Sequence, residues 1–130
     1  MNDPVAIFEA AVDALNRVDR DALGDVVDPQ IMFVPLRSAV TGAYLGHQGI
    51  EQFLEENEAR YEMFRAEFNE LRPLPDGRLI AIGHIRLRGK GTGDDTLYPT
   101  AGIAGFRDGR LASWRDYGNE AAALAAAGEG

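Results

Sequence analysis

Apolar positions recur every three to four residues in the first sixty positions and every second residue after Met63, so the pattern reads helices first and strands later. Asp3 before Pro4 reads as an N-cap with proline at the first helical position. Val5, Phe8, Val12 and Leu15 then form one stripe, which predicts a helix over Pro4–Val18. Asp19 predicts the cap of a short second helix reaching Val27, with Ala22, Leu23, Val26 and Val27 facing inward. Asp28-Pro29 ends it, because proline disfavours helix in the residue before it. Ile31–Leu36 reads as a short strand, and Ser38–Gly46 as a weak second strand or a loop. A third helix opens at Gln48 or Gly49. It places Ile50, Phe53, Leu54, Asn57 and Tyr61 on one face and Glu55, Glu56 and Glu58 on a solvated one.

With period two, Met63–Arg72, Arg78–Arg88, Thr96–Arg107 and Arg110–Tyr117 read as strands. Asp76-Gly77, a glycine-rich stretch over 89–95, and Asp108-Gly109 supply the turns between them. Asn119 can cap an alanine-rich tail helix ending at Gly128. Helices followed by hairpin-joined strands predict an α+β fold, with a curved antiparallel sheet wrapped around the N-terminal helices.

The strand over Arg78–Arg88 is apolar on both faces at its centre, whereas an antiparallel strand usually turns one face to water. One face carries Ile80, Ile82, His84 and Arg86; the other carries Leu79, Ala81, Gly83, Ile85 and Leu87. Both then need cover. A second copy of the chain over the outer face predicts a homodimer, and another part of the same chain is the alternative. His84 and Arg86 are taken as the inward polar pair. A buried Arg needs an anionic partner, and Asp116 is the best candidate, since it shares a side of the last strand with Trp114. Asp116, Arg86 and His84 walled by Ile82 and Trp114 have the makings of an acid–base centre. The plainer alternatives are a structural Asp116–Arg86 ion pair, a hydrogen-bonded wall histidine, and Trp114 as core.

Composition narrows this picture. The 130 residues suit one domain, and 45% apolar content fills a core. The net charge of −8 argues against nucleic acid, whose binding draws on Lys and Arg; Arg86, Arg88 and Lys90 form only a small patch. No apolar run approaches the ~20 residues that span a bilayer, so no membrane role is expected, and no secretory signal is read at the start. Cysteine is absent, which fits a reducing cytoplasm and removes disulfides, thiol nucleophiles and Cys-based zinc sites. His47 and His84 lie too far apart in sequence to suggest a metal site. Gly89, Gly91 and Gly93 read as hairpin residues rather than a phosphate loop, and neither Ser38 nor Ser113 sits in a nucleophile elbow.

In its order of elements the chain resembles the nuclear transport factor 2-like superfamily, and its SnoaL-like branch most of all. The resemblance rests on the helix–short helix–Asp28-Pro29 opening, on Tyr44 and Gly46 before the Ile50, Phe53, Leu54 helix, and on Asp108-Gly109-Arg110-Leu111 followed by Trp114-Arg115-Asp116-Tyr117. It implies a cone with a deep pocket, commonly dimeric through the sheet. The last strand is similar to that of the limonene-epoxide hydrolase group, which carries an Asp at the position of Asp116. That group's Arg and Asp on the long strand correspond to His84 and Arg86, and its water-positioning Tyr and Asn to Ile31 and Phe33, which cannot orient a water. The steroid isomerase acid of the penultimate strand has no counterpart in Thr96–Arg107. A polyketide cyclase pattern, with one Asp base in an apolar pocket, comes nearer. The resemblance therefore implies a cyclase or isomerase acting on a small apolar carbonyl compound. Asp116 would take a proton beside the carbonyl, His84 would donate to the enolate oxygen, and Arg86 would steady Asp116 or hold an anionic group. Trp114, Tyr98, Phe33 and Ile82 would contact the ligand, and no cofactor or metal is implied. The alternatives are a non-catalytic module that binds an apolar ligand or dimerises, an epoxide hydrolase-like activity that the missing Tyr and Asn disfavour, and a partner-binding surface.

Overall fold

The computed structural model describes residues 3–35 and 42–128. Helix α1 (Pro4–Arg17) opens as its sequence predicts, with Asp3 Oδ1 accepting from the Val5 amide at 3.1 Å. Helix α2 (Arg20–Val26) is capped by Asp19, whose carboxylate accepts from the Ala22 amide. Strand β1 (Val27–Val34) follows without a loop, four residues earlier than the apolar run suggests. Strand β2 is the pair Tyr44–Leu45, and the rest of the predicted weak strand over 38–43 lies largely outside the described residues. Helix α3 (Gly46–Arg60) starts ahead of the predicted Gln48 or Gly49. Its N-cap is Leu45, which has no side-chain cap bond, so the usual sequence signal is missing.

Strands β3 (Tyr61–Pro73), β4 (Leu79–Gly89), β5 (Asp95–Arg107) and β6 (Arg110–Asp116) form the predicted meander. Helix α4 (Glu120–Ala126) ends the described chain, capped by Asn119. The six strands lie in one curved sheet in the order β2-β1-β6-β5-β4-β3. Every pair is antiparallel except β1 with β6, which runs parallel. The sequence did not foretell this pair: hairpins announce antiparallel neighbours, but nothing local announces a partner some eighty residues away.

Curvature comes from irregular register. β3 bulges against β4 between Phe68 and Glu70, and β5 against β6 at Gly105/Phe106; bulges bend a strand and raise its twist. At the first of these Gly83 is required, since a Cβ there would lie 1.9 Å from the Glu67 carbonyl oxygen.

Helices α1–α3 pack on the inner face of the sheet. Phe8, Ala11 and Ala14 of α1, Leu23 of α2, and Ile50 and Leu54 of α3 meet Val27, Ile31, Leu79, Leu111 and Trp114 of the sheet. Each large side chain buried this way contributes about 1.5–3 kcal/mol. On the outer face a smaller cluster gathers Leu74, Ile80 and Ile103, with Ile82 and Tyr117 against Leu124 and Ala127 at the chain's tail. The tail therefore covers one end of the outer sheet face, the cover from within the chain that the sequence left as the alternative.

Candidate functional site

The inner face of β4 carries Leu79, Ala81, Gly83, Ile85 and Leu87, the face without a polar side chain. Ile85 and Leu87 look into a cavity of about 290 Å³ between the helices and the sheet. Phe8, Val12 and Leu15 of α1 and Phe53 of α3 form the helical wall. Phe64 and Phe68 of β3, Phe33 of β1 and Trp114 of β6 form the sheet wall. The rings fall into two sets. Phe8, Phe68 and Trp114 meet with centroids 5.1–5.6 Å apart. Phe53 stands edge-on to Phe33 at 4.7 Å and to Phe64 at 5.6 Å. The Trp114 indole lies over Gly102, where a Cβ would come within 2.6 Å of the ring, so only glycine admits it.

Polar groups on this lining are few: Tyr61, Tyr98, Thr100 and Asp116, the last being its sole carboxylate among the described residues. Asp116 ends β6, on the same side as Trp114 and level with Gly102 of β5. Its Oδ2 accepts from the Thr100 hydroxyl at 2.6 Å. Its Oδ1 accepts from the Gly118 amide at 2.7 Å and from the Ala101 amide at 3.4 Å. Among the described residues no cation pairs with it, so the carboxylate is held by dipoles alone. Such a group is an acceptor with no fixed positive partner, on a lining that is mostly hydrocarbon.

The predicted site residues divide into two groups. Asp116, Trp114, Phe33 and Tyr98 line the cavity, with Trp114 buried and Tyr98 at the rim, 51% exposed. His84, Arg86 and Ile82 do not; they lie on the outer face of β4. His84 Nε2 sits 2.8 Å from Glu67 Oε1, directly across from it on β3. Arg86 lies 3.7 Å from Glu67 and 3.7 Å from Asp95, not beside Asp116. Ile82 packs in the cluster under α4. His84, then the charge of Arg86, holds the Glu67 carboxyl below the usual range. The expected inward Arg86–Asp116 pair is thus replaced by an outward ion network. Charged groups on a two-faced strand go where water can reach them, and α4 makes the outer face look like a core face at Ile80 and Ile82. Thr100 is not among the sequence-predicted site residues, and Tyr61, expected on the inner face of the third helix, instead opens β3 on the lining. Thr100 was findable, being two residues from Tyr98 and hence on its face. The second histidine, His47, lies 3.2 Å from the Val27 carbonyl oxygen beside a smaller cleft of about 140 Å³. Among the described residues no group of three His, Asp or Glu side chains is placed to hold a metal. No described helix is long and apolar enough to cross a membrane.

A curved mixed sheet closing over helices around an interior cavity defines the nuclear transport factor 2-like, or ketosteroid isomerase-like, class of α+β fold. Within that class the chain belongs to the SnoaL-like domain family, whose model matches residues 8–114. Among solved structures it is similar to a candidate SnoaL-like polyketide cyclase from Shewanella denitrificans, with 20% identity, TM-score 0.72, and 87% of this chain and 88% of the other covered. It is also similar to a protein of ketosteroid isomerase-like fold from Catenulispora acidiphila in complex with trimethylamine, with 20% identity, TM-score 0.74, and 94% and 92% covered. An epoxide hydrolase of the limonene-epoxide hydrolase type from M. tuberculosis aligns at 15% identity, TM-score 0.73, and 95% and 83% covered. At these identities the likeness shows the fold. No curated protein matches the sequence.

Proposed function

We propose that the protein binds a small, uncharged, carbonyl-bearing apolar molecule in the interior cavity and that Asp116 acts on it as a general base, in a cyclase- or isomerase-type reaction. The observation that carries this reading is one carboxylate, the sole one among the described residues, on a lining that apart from the Thr100 hydroxyl is aliphatic and aromatic. Asp116 takes a proton from the carbon beside the carbonyl, leaving an enolate. In an isomerisation it returns that proton to another carbon. In a cyclisation the enolate carbon attacks a second carbonyl, and the proton passes to the new alkoxide. His84 faces away from the cavity, so the hydrogen bond to the enolate oxygen falls to Tyr98, a phenol on the lining two residues from Thr100. The volume lies at the small end of ligand sites, roughly 300–1,000 Å³, which favours one or two fused rings.

1-Indanone in D2O is a fitting probe, because loss of its α-protons reads the base directly. Asp116→Asn should slow enzyme-dependent exchange by about 100-fold or more with the melting temperature within a degree or two. The Asn carbonyl can still accept from Gly118, so the turn survives. Exchange in the variant equal to wild type would remove Asp116 from the chemistry.

A second reading is non-catalytic binding. The bonds from Thr100 and Gly118 favour it, because they would equally serve a carboxylate that only closes the end of β6. Ligand-dependent thermal stabilisation without any α-proton exchange would select it.

We also infer that a second copy covers the outer sheet face beyond α4. There Leu97 is 53% exposed, with Pro99, Arg86 and His84 beside it. Light scattering should give twice the 14.1 kDa chain mass.

A further inference from the structure

We infer that Thr100 is a positioning residue for Asp116, fixing which carboxylate oxygen is presented to the bound molecule; this rests on the reading of Asp116 as the base. Thr100 is 2% exposed, one of the most deeply buried polar side chains described. It sits on the inner face of β5, in register with Gly83 of β4, where no side chain stands opposite it. A hydroxyl this deep needs a partner, because burying it without one is costly. Its partner is Oδ2 of Asp116 at 2.6 Å, a short, charge-assisted bond across adjacent strands.

The two carboxylate oxygens are not equivalent. Oδ1 is turned to the main chain and takes two amides, Gly118 and Ala101. Oδ2 takes one donor, the Thr100 hydroxyl, and keeps acceptor capacity to spare. Rotating the carboxylate would break the Gly118 bond and the Thr100 bond together. The proton therefore arrives at Oδ2. The Thr100 hydroxyl keeps donating to one lone pair of Oδ2 while the incoming proton takes the other. Nothing in the extended backbone of β5 calls for a hydroxyl here: valine has the same branching and nearly the same volume, and it is a good strand former. The bond to Asp116 is what distinguishes threonine from valine at this position.

The test uses α-proton exchange of 1-indanone in D2O, with kcat and KM measured separately for wild type, Thr100→Val, Thr100→Ser and Asp116→Asn. Thr100→Val should lower kcat about tenfold or more, the size expected for one hydrogen bond to a charged group, with KM within twofold. Thr100→Ser restores the hydroxyl and should bring kcat back to within about threefold of wild type. Wild-type kcat in Thr100→Val overturns the inference. So does a loss that serine fails to rescue, or one that appears in KM and melting temperature instead of kcat. These failures leave the base intact if Asp116→Asn is inactive. Should Asp116→Asn exchange as fast as wild type, or wild type no faster than buffer, the reading of Asp116 as base falls and the role of Thr100 falls with it.

Discussion

Asp28, second in β1, has its side chain nearly closed off from water, and two Arg107 nitrogens reach it from the end of β5 at 2.9 and 3.1 Å. The Arg107 guanidinium first, then the Gln30 amide, holds this carboxyl below the usual range. A carboxyl with a depressed folded-state pKa contributes stability above its unfolded value of about 4, and loses it as pH falls through the folded value. Other carboxylates share the acid limb, so the informative measurement is a difference. Asp28→Asn should melt several degrees lower than wild type at pH 7, and the gap should close as pH drops below 4 in a series of thermal melts. A gap that stays constant with pH would show that the pair is not the cause. At this scale the sequence was informative where a side chain has a local partner. Asp3, Asp19 and Asn119 cap the helices they precede. Trp114 and Asp116 fall on the cavity side together because a strand repeats every two residues. Pairings across strands are not readable in sequence, and Arg86 meets Glu67 and Asp95 rather than Asp116.

Among the elements, β4 shows most plainly that periodicity alone does not tell the inner face from the outer one. Period two separates its residues correctly into two sets, but it does not say which set points inward. The decisive sign was the absence of any polar group from Leu79, Ala81, Gly83, Ile85 and Leu87, and the outward apolar residues obscured it because α4 packs on them. Gly83 marks the inner face for a further reason: β3 bends across it at the bulge opposite Phe68. Gly83→Ala would force its Cβ against backbone atoms of Glu67 and Phe68 at 1.9 and 2.6 Å. We expect a loss of about 3 kcal/mol, the upper end of the usual overpacking range, in urea unfolding. Gly89→Ala, whose Cβ would meet only Thr92 side-chain atoms at 3.5 Å and beyond, should cost much less. Equal effects would mean that β3 can move aside. The start of α3 was illegible for the opposite reason, since no polar cap announces it.

For the molecule as a whole, the sequence order of helices before strands was enough for the architecture, and the resemblance to the SnoaL-like branch agrees with the family match. The sheet order was not accessible, because β1 pairs with β6 across most of the chain. The proposed association through the outer face belongs to this scale. Leu97→Glu places a charge in the middle of the exposed outer patch, far from Asp116 in register. It should convert a dimer to a monomer by light scattering while leaving α-proton exchange within about twofold. A dimer that persists would exclude this face as the contact.

The parallel contact between Val27–Val34 and Arg110–Asp116 also sets an order of events for a chain that emerges from the ribosome N-terminus first. The early helices and β1 are made well before the strand that must receive them. Until Asp116 has been added, the hydrocarbon lining has no closing wall and the carboxylate it surrounds does not yet exist. Wall and carboxylate are therefore completed together, as β6 is made.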